Sequence, residues 1–318
     1  MARRGNGTHQ EMYGQCVRTP PIVLHPHLDR KVVCWGVASG ASSVTGSTRP
    51  RSLTFAVMRE LFPPTALLLL VLGSWLVSPS QVELVTRAAL HGLCAQRPSH
   101  SFWFGPYQLP FDARMTGIYA GSLLTVTWLA LRHSRGAAGP PRAGTLAVLA
   151  VGIVLLGVDG LNALAADLHL PTLYEPRNTL RYLTGAWTGL ALGVLLWWVF
   201  QSTTWRPALR HPSPSFHLAR DGLPLGLALA AFGWLVMTGP VNWYVPVALV
   251  LLIAAVVTLA LFTWPVALLV TRRFERTDRW HELVVPGLFA LAVAISVMTV
   301  TSLLRYALEA ALDIPPLP

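Results

Sequence analysis

Seven separate runs of the chain, at residues 61–77, 116–131, 144–164, 184–200, 222–238, 245–270 and 283–304, are 16 to 26 residues long and hold a single charged side chain between them, Asp159. A helix rising about 1.5 Å per residue needs about 20 apolar residues to cross the roughly 30 Å of hydrocarbon in a bilayer. No backbone N–H or C=O can stay unpaired there, so each run is expected to be a helix. The expected fold class is all-α: a polytopic transmembrane helix bundle of about seven spans. Composition agrees, with 53% hydrophobic residues, 12% charged residues and a mean hydropathy of +0.51. A water-soluble domain of this length would carry far more surface charge.

The formal charge of +10 does not point to nucleic acid. The arginines stand singly between apolar runs, where they orient helices and meet headgroups, and no basic stripe forms. No nucleic-acid partner is expected; the expected partner is the lipid bilayer. Lys31 is the only lysine, while Arg, Ala, Gly and Pro abound, a bias expected of a GC-rich bacterial genome. The expected location is therefore the bacterial inner membrane, crossed several times.

Residues 1–57 lack any sustained apolar period and hold Cys16 and Cys34, so they are expected to be a disordered extension. Met58, Arg59 and Glu60 lead straight into the first apolar run, which makes Met58 the expected start of translation. Cys94 would then be the only cysteine, and no intramolecular disulfide could form. The first run is read as a span; the alternative is a signal peptide cleaved near Ser78, Pro79 and Ser80. After the extension, residues 58–200 are expected to form a four-helix membrane region and residues 201–318 to add three more spans.

Arginine placement sets the threading. With the N-terminus inside, Arg59, Arg132, Arg135, Arg142, Arg206, Arg210, Arg220, Arg272, Arg273, Arg276 and Arg279 are cytoplasmic; Arg87, Arg97, Arg114, Arg177, Arg181 and Arg305 are outside. Eleven against six obeys the positive-inside rule, so the expected topology is N-in and C-out. Trp205, Trp243 and Trp280 fall at predicted helix ends and are read as interfacial anchors. Phe102, Trp103, Phe104 and Tyr107 are read as an interfacial segment, with a re-entrant segment or a lid as alternatives.

This threading gathers polar residues at the outer face. The stretch 91–119 brings His91, Cys94, Arg97, His100, Asp112 and Arg114; the third span brings Asp159 about 22 Å up from its cytoplasmic entry; Asn178 and Arg181 precede the fourth. A carboxylate inside an apolar helix costs about 2.5 to 3.5 kcal/mol on insertion scales, so Asp159 needs a partner or a wet cavity. Arg114 and Arg181 are the nearest candidates. An ion pair tying helices is the favoured reading; a substrate or proton site, or a snorkelling carboxylate, are the alternatives.

Four blocks, CAQRPSHSF at 94–102, YQLPFDARMTGIYAG at 107–121, VDG at 158–160 and NTLRYLTG at 178–185, resemble the predicted membrane proteins grouped as domain of unknown function 2085. The last three spans lie outside the resemblance. The family pattern places His after the first Cys, Arg before Ser-Phe, and a Cys on each side of Ala-Arg. Here those positions hold Ala95, His100, Asp112 and Met115. The full set would suit zinc or a dithiol couple, but most of its sulfur and imidazole is absent. Thiol exchange between positions 112 and 115 is excluded, since neither residue can form a disulfide. The resemblance leaves Cys94, Arg114, Thr116, Gly117, Tyr119, Asp159, Asn178 and Arg181. Of these, Cys94, Arg114, Tyr119, Asp159, Asn178 and Arg181 form the candidate functional cluster. A residual metal site of His91, Cys94, His100 and Asp112 is the alternative, with zinc as its ion; otherwise no cofactor is expected.

No G-x-S-x-G, H-E-x-x-H or phosphate-cradling glycine loop with lysine occurs, so hydrolase, zincin and nucleotide readings lack support. Gly117 and Gly121, and Gly185, Gly189 and Gly193, recur every four residues and make small faces for close helix packing, within the chain or in a homo-oligomer through Gly185, Gly189 and Gly193. The favoured function is a non-catalytic membrane protein, handling a small solute or lipid or serving in assembly. The alternative is a membrane-embedded thiol- or metal-dependent enzyme acting at the extracytoplasmic face. Against a transporter, no inverted repeat and no matching Gly/Pro-broken helices appear in the two halves.

Overall fold

An apolar run becomes a helix here wherever it can bury one face against a neighbour. The computed structural model describes residues 73, 77–132 and 135–314. The extension 1–57, the start at Met58 and nearly all of the run 61–77 lie outside them. Seven α-helices are described: α1 (Pro79–Leu90), α2 (Ala113–Arg132), α3 (Ala143–Asp167), α4 (Asn178–Thr204), α5 (Leu218–Thr238), α6 (Tyr244–Val270) and α7 (Val284–Ala311). The five from α3 to α7 are long and apolar enough to cross a membrane. Many of their large apolar side chains, such as Val154, Leu161, Phe262 and Leu303, are exposed, as lipid-facing residues are.

Helix α2 is more polar because little of it needs to face lipid. It lies against α4, α5 and α6, burying Thr116, Gly117, Ser122 and Thr125. Ser122 Oγ accepts a hydrogen bond from Thr258 on α6 at 3.2 Å. Helix α1 is 12 residues, too short to span, and its signal is Pro79 at the first turn with Val82, Thr86 and Leu90 buried four residues apart. The count of apolar runs does not contain it.

The glycine faces meet each other. A Cβ on Gly185 would lie 2.2 Å from the Arg114 carbonyl oxygen, one on Gly189 2.3 Å from that of Ile118, and one on Gly117 2.4 Å from that of Tyr182. A Cβ on Gly193 would lie 2.7 Å from the Thr125 side chain, and one on Gly121 2.7 Å from the Ala186 carbonyl oxygen. These faces bring the α2 and α4 backbones into contact within one chain. Helix α2 therefore occupies the surface that a homo-oligomer through Gly185, Gly189 and Gly193 would need.

The expected all-α architecture also gains two small sheets. β1 (Ser101–Phe104) and β2 (Tyr107–Asp112) form an antiparallel hairpin pairing Trp103 with Gln108 and Phe104 with Tyr107, turning at Gly105, whose φ is +61°. Phe102, Phe104, Leu109 and Phe111 are buried, so this aromatic stretch is a packed cap rather than a lid or re-entrant segment. β3 (Ala137–Gly139) and β4 (His211–Pro214) pair in parallel at the other end.

The connections sort onto two ends. Residues 91–112, 168–177 and 239–243 and the C-terminal part of α7 share one, joined by contacts such as Phe104 on Gly239 and His91 on Glu309. Residues 135–142, 205–217 and 271–283 share the other, joined by Arg206 to Asp278 and Arg210 to Glu275. Trp205 corrects the reading of three interfacial anchors. It is fully buried, its Nε1 donates to Gln201 Oε1 at 2.6 Å, and Trp280 closes over it edge-on. Trp243 and Trp280 keep about half of their surface exposed.

Candidate functional site

Asp159 is 1% exposed, near the end of α3 that faces the hairpin. One carboxylate oxygen accepts from Arg114 Nη2 at 2.5 Å, the other from the Tyr174 hydroxyl at 3.0 Å. Arg114 is brought there by its place as the second residue of α2, whose start Asp112 caps: the Asp112 carboxylate accepts from the Met115 N–H at 2.8 Å. The two positions that hold cysteine in the resembling family are thus the cap and the third residue of this helix. Tyr174 is brought there by Asn162, one turn beyond Asp159. Its amide oxygen accepts from Leu173 N–H at 2.7 Å and its nitrogen donates to the Tyr174 carbonyl at 2.9 Å, folding the loop back over α3.

The start of α4 closes the other side. Asn178 donates to the Ser99 and Ser101 carbonyls at 3.2 and 3.3 Å and accepts from Arg181 Nη1 at 2.8 Å. Arg181 Nη2 reaches His100 Nε2 at 3.3 Å, and Arg97 pairs with Asp167 at 2.5 Å. A guanidinium can only donate, so His100 Nε2 is the acceptor and the ring is neutral with its proton on Nδ1. Burial first, and then the Arg181 charge, hold the His100 pKa below its ordinary value, in accord with that assignment. Burial and then the bond to Asp159 push the Tyr174 phenol up, keeping it a donor.

Stability should follow the sign of the His100 shift. With the folded pKa below the unfolded one, His100 contributes nothing above the ordinary histidine range. As pH falls through about 6.5, the unfolded chain takes up the proton first and stability drops. Melting curves from pH 8 to pH 5 should show this decline, and His100→Gln should flatten it; an unchanged slope in that variant would place the sensitivity elsewhere.

Arg114, Asp159, Asn178 and Arg181 are therefore brought to one end of the bundle. Cys94 and Tyr119 are not part of that cluster. Cys94 is buried, and its sulfur accepts from the Gln96 and Asp112 N–H groups at 3.4 and 3.3 Å. Burial, then the Asp112 charge, push its thiol up to about 12, which leaves it protonated and non-nucleophilic at neutral pH. Tyr119 stacks on Phe111 at 4.6 Å in the same apolar core.

The four residues considered for a metal do not converge. His91 stacks on Tyr306 and bonds Glu309 at 2.8 Å, the Cys94 sulfur faces backbone N–H donors, His100 faces Arg181, and Asp112 caps α2. Among the described residues no group of three or more His, Cys, Asp or Glu side chains is placed to hold a metal ion. The donor set does not fit zinc, which asks for four ligands around one point.

Sequence reasoning left out Tyr174, Asn162 and Asp167 from the cluster. Asn162 carried a signal, lying three residues after Asp159 on the same helical face; Tyr174 carried none, because only the loop path delivers it. It also missed Arg305 and Glu309 of α7. Arg305 donates to the carbonyls of Cys94 and, at 2.7 Å, His91, and its Nε to Glu309 at 2.7 Å.

Helices of this length and apolarity, stitched at both ends by polar loops, define a multi-pass membrane protein. Residues 94–195 match the family model described as "Predicted membrane protein (DUF2085)", which bears out the resemblance carried by the four sequence blocks. No curated protein and no solved structure matches the chain.

Proposed function

We propose that the chain is a non-catalytic inner-membrane protein, of the lipid-handling or assembly type, that crosses the bilayer seven times with its N-terminus inside and its C-terminus outside. The observation that carries the non-catalytic reading is the closure of Asp159: both oxygens of this buried carboxylate are engaged, by Arg114 and Tyr174. A carboxylate held this way ties α2, α3 and the loop before α4 together, and a protonated, buried Cys94 offers no nucleophile beside it. The threading is supported by arginine placement: ten of the arginines in the described residues lie at the end bearing β3 and β4, and six at the end bearing the hairpin.

Two measurements test this. Metal analysis of purified protein should find no stoichiometric zinc; stoichiometric metal lost in both Cys94→Ser and His91→Ala would favour the enzyme alternative instead. In a background with Cys16, Cys34 and Cys94 changed to Ser, Leu173→Cys should react with an impermeant maleimide on intact cells and Leu209→Cys only after lysis. The reverse pattern would invert the threading.

A further inference from the structure

A polar pocket and an apolar groove lie side by side on the face formed by α1, α6 and α7. The pocket, about 360 Å³, is lined by Ser80, Glu83, Arg87, His91, Gln96 and Tyr306, with Ala88 at its edge. The groove, about 450 Å³, runs along Ala89, Leu252, Val256, Ile295, Met298 and Leu303. Ala88 and Tyr306 line both, so the two volumes adjoin. Each is of the size of an ordinary ligand site. The groove lies on two helices apolar enough to cross a membrane, and Ile295 and Leu303 at its rim are half or more exposed, so it opens sideways toward lipid. The pocket lies at the end of the bundle where His91 meets Glu309, with the amphipathic ring of Tyr306 at the junction, as at a headgroup boundary.

The geometry points to this slot as a binding site for one zwitterionic glycerophospholipid. The acyl chain lies in the groove, and the phosphate and ammonium of a phosphoethanolamine head lie against Arg87 and Glu83. Charge pattern selects this class. Glu83 and Arg87 stand 3.8 Å apart on successive turns of α1, one charge of each sign, and Ser80 and Gln96 add neutral hydrogen-bonding groups. A phosphatidylglycerol head offers the same phosphate to Arg87 but a neutral glycerol to Glu83, whereas a phosphoethanolamine head meets an opposite partner for each of its two charges. The site deepens the lipid-handling reading above and rests on it.

The test uses full-length protein, delipidated in detergent and then offered phosphatidylethanolamine or phosphatidylglycerol, with retained lipid counted by native mass spectrometry. One phosphatidylethanolamine per chain is expected, with a preference over phosphatidylglycerol of about fivefold, the ratio that about 1 kcal/mol of charge recognition gives. Ile295→Trp, at the half-exposed rim, should abolish retention without shifting the melting temperature. Glu83→Gln should remove the headgroup preference, and Glu83→Asp should restore it. Equal retention of both lipids, or retention untouched by Ile295→Trp, would overturn the site. So would a disulfide formed between Ile295→Cys and Leu67→Cys in the cysteine-free background, since the chain's own run 61–77 would then fill the groove. Any of these failures leaves the metal and maleimide results standing, so the loss of this site is distinguishable from the loss of the broader reading.

Discussion

Asp159→Asn is expected to cost about 2 to 3 kcal/mol of stability, the range for removing one partner of a largely buried ion pair. The substitution keeps shape and a hydrogen-bond acceptor, so Tyr174 retains its bond. What it removes is the negative charge facing Arg114, whose side chain is 25% exposed and so keeps part of its hydration. A double-mutant cycle with Arg114→Gln isolates the pair: the double variant should recover about 1 to 2 kcal/mol relative to the sum of the single losses. Denaturation of the four proteins in one detergent supplies the numbers. Strict additivity would mean that the two groups do not stabilise each other, and the latch between α2 and α3 would have to be sought elsewhere.

Gly189→Ala is expected to destabilise by about 3 kcal/mol, the upper range for overpacking, because the added methyl meets backbone rather than a flexible side chain. Its Cβ would stand 2.3 Å from the Ile118 carbonyl oxygen and 2.9 Å from the Gly117 carbonyl oxygen. Neither can move without shifting α2, which is itself wedged against α5 and α6. Gly157→Ala on α3 is the control, for nothing lies within 4 Å of its Cβ position. There the helix gains alanine's propensity, and stability should stay level or rise by less than about 1 kcal/mol. Melting of both variants by tryptophan fluorescence or size-exclusion profile gives the comparison. Equal behaviour of the two would show that the α2 and α4 backbones are not in contact.

What could be read from residues alone followed from strong single constraints. A carboxylate in hydrocarbon demands a partner, and Arg114 was one of two candidates that threading allowed; it is the direct one. Glycines at every fourth position announce close packing, and Gly117 with Gly121 does face Gly185 and Gly189. Loop paths obey no such constraint. Tyr174 reaches Asp159 only because Asn162 pins the chain between them, and no spacing announces that. Cys94 drew attention for its chemistry, yet its environment decides the matter: an apolar core keeps a thiol protonated whatever motif surrounds it. Trp205 sits at a helix end as an anchor would, but Gln201 supplies its indole with a buried acceptor, and so it goes inward. The hairpin was hidden because a run of Phe, Trp and Phe reads equally as strand or as interfacial segment until Gly105 and the buried Gln108 settle the register.

Arg305 extends this beyond the part of the chain that matches the family. Its guanidinium holds carbonyls of residues 91 and 94 from the far end of the last helix, more than two hundred positions away in sequence. A protein cut after α4 would strand those carbonyls and uncover the loop that carries Cys94. The span of recognisable kinship is thus shorter than the length of polypeptide required to hold it in shape, and the closing helix works as a keystone set from outside the arch.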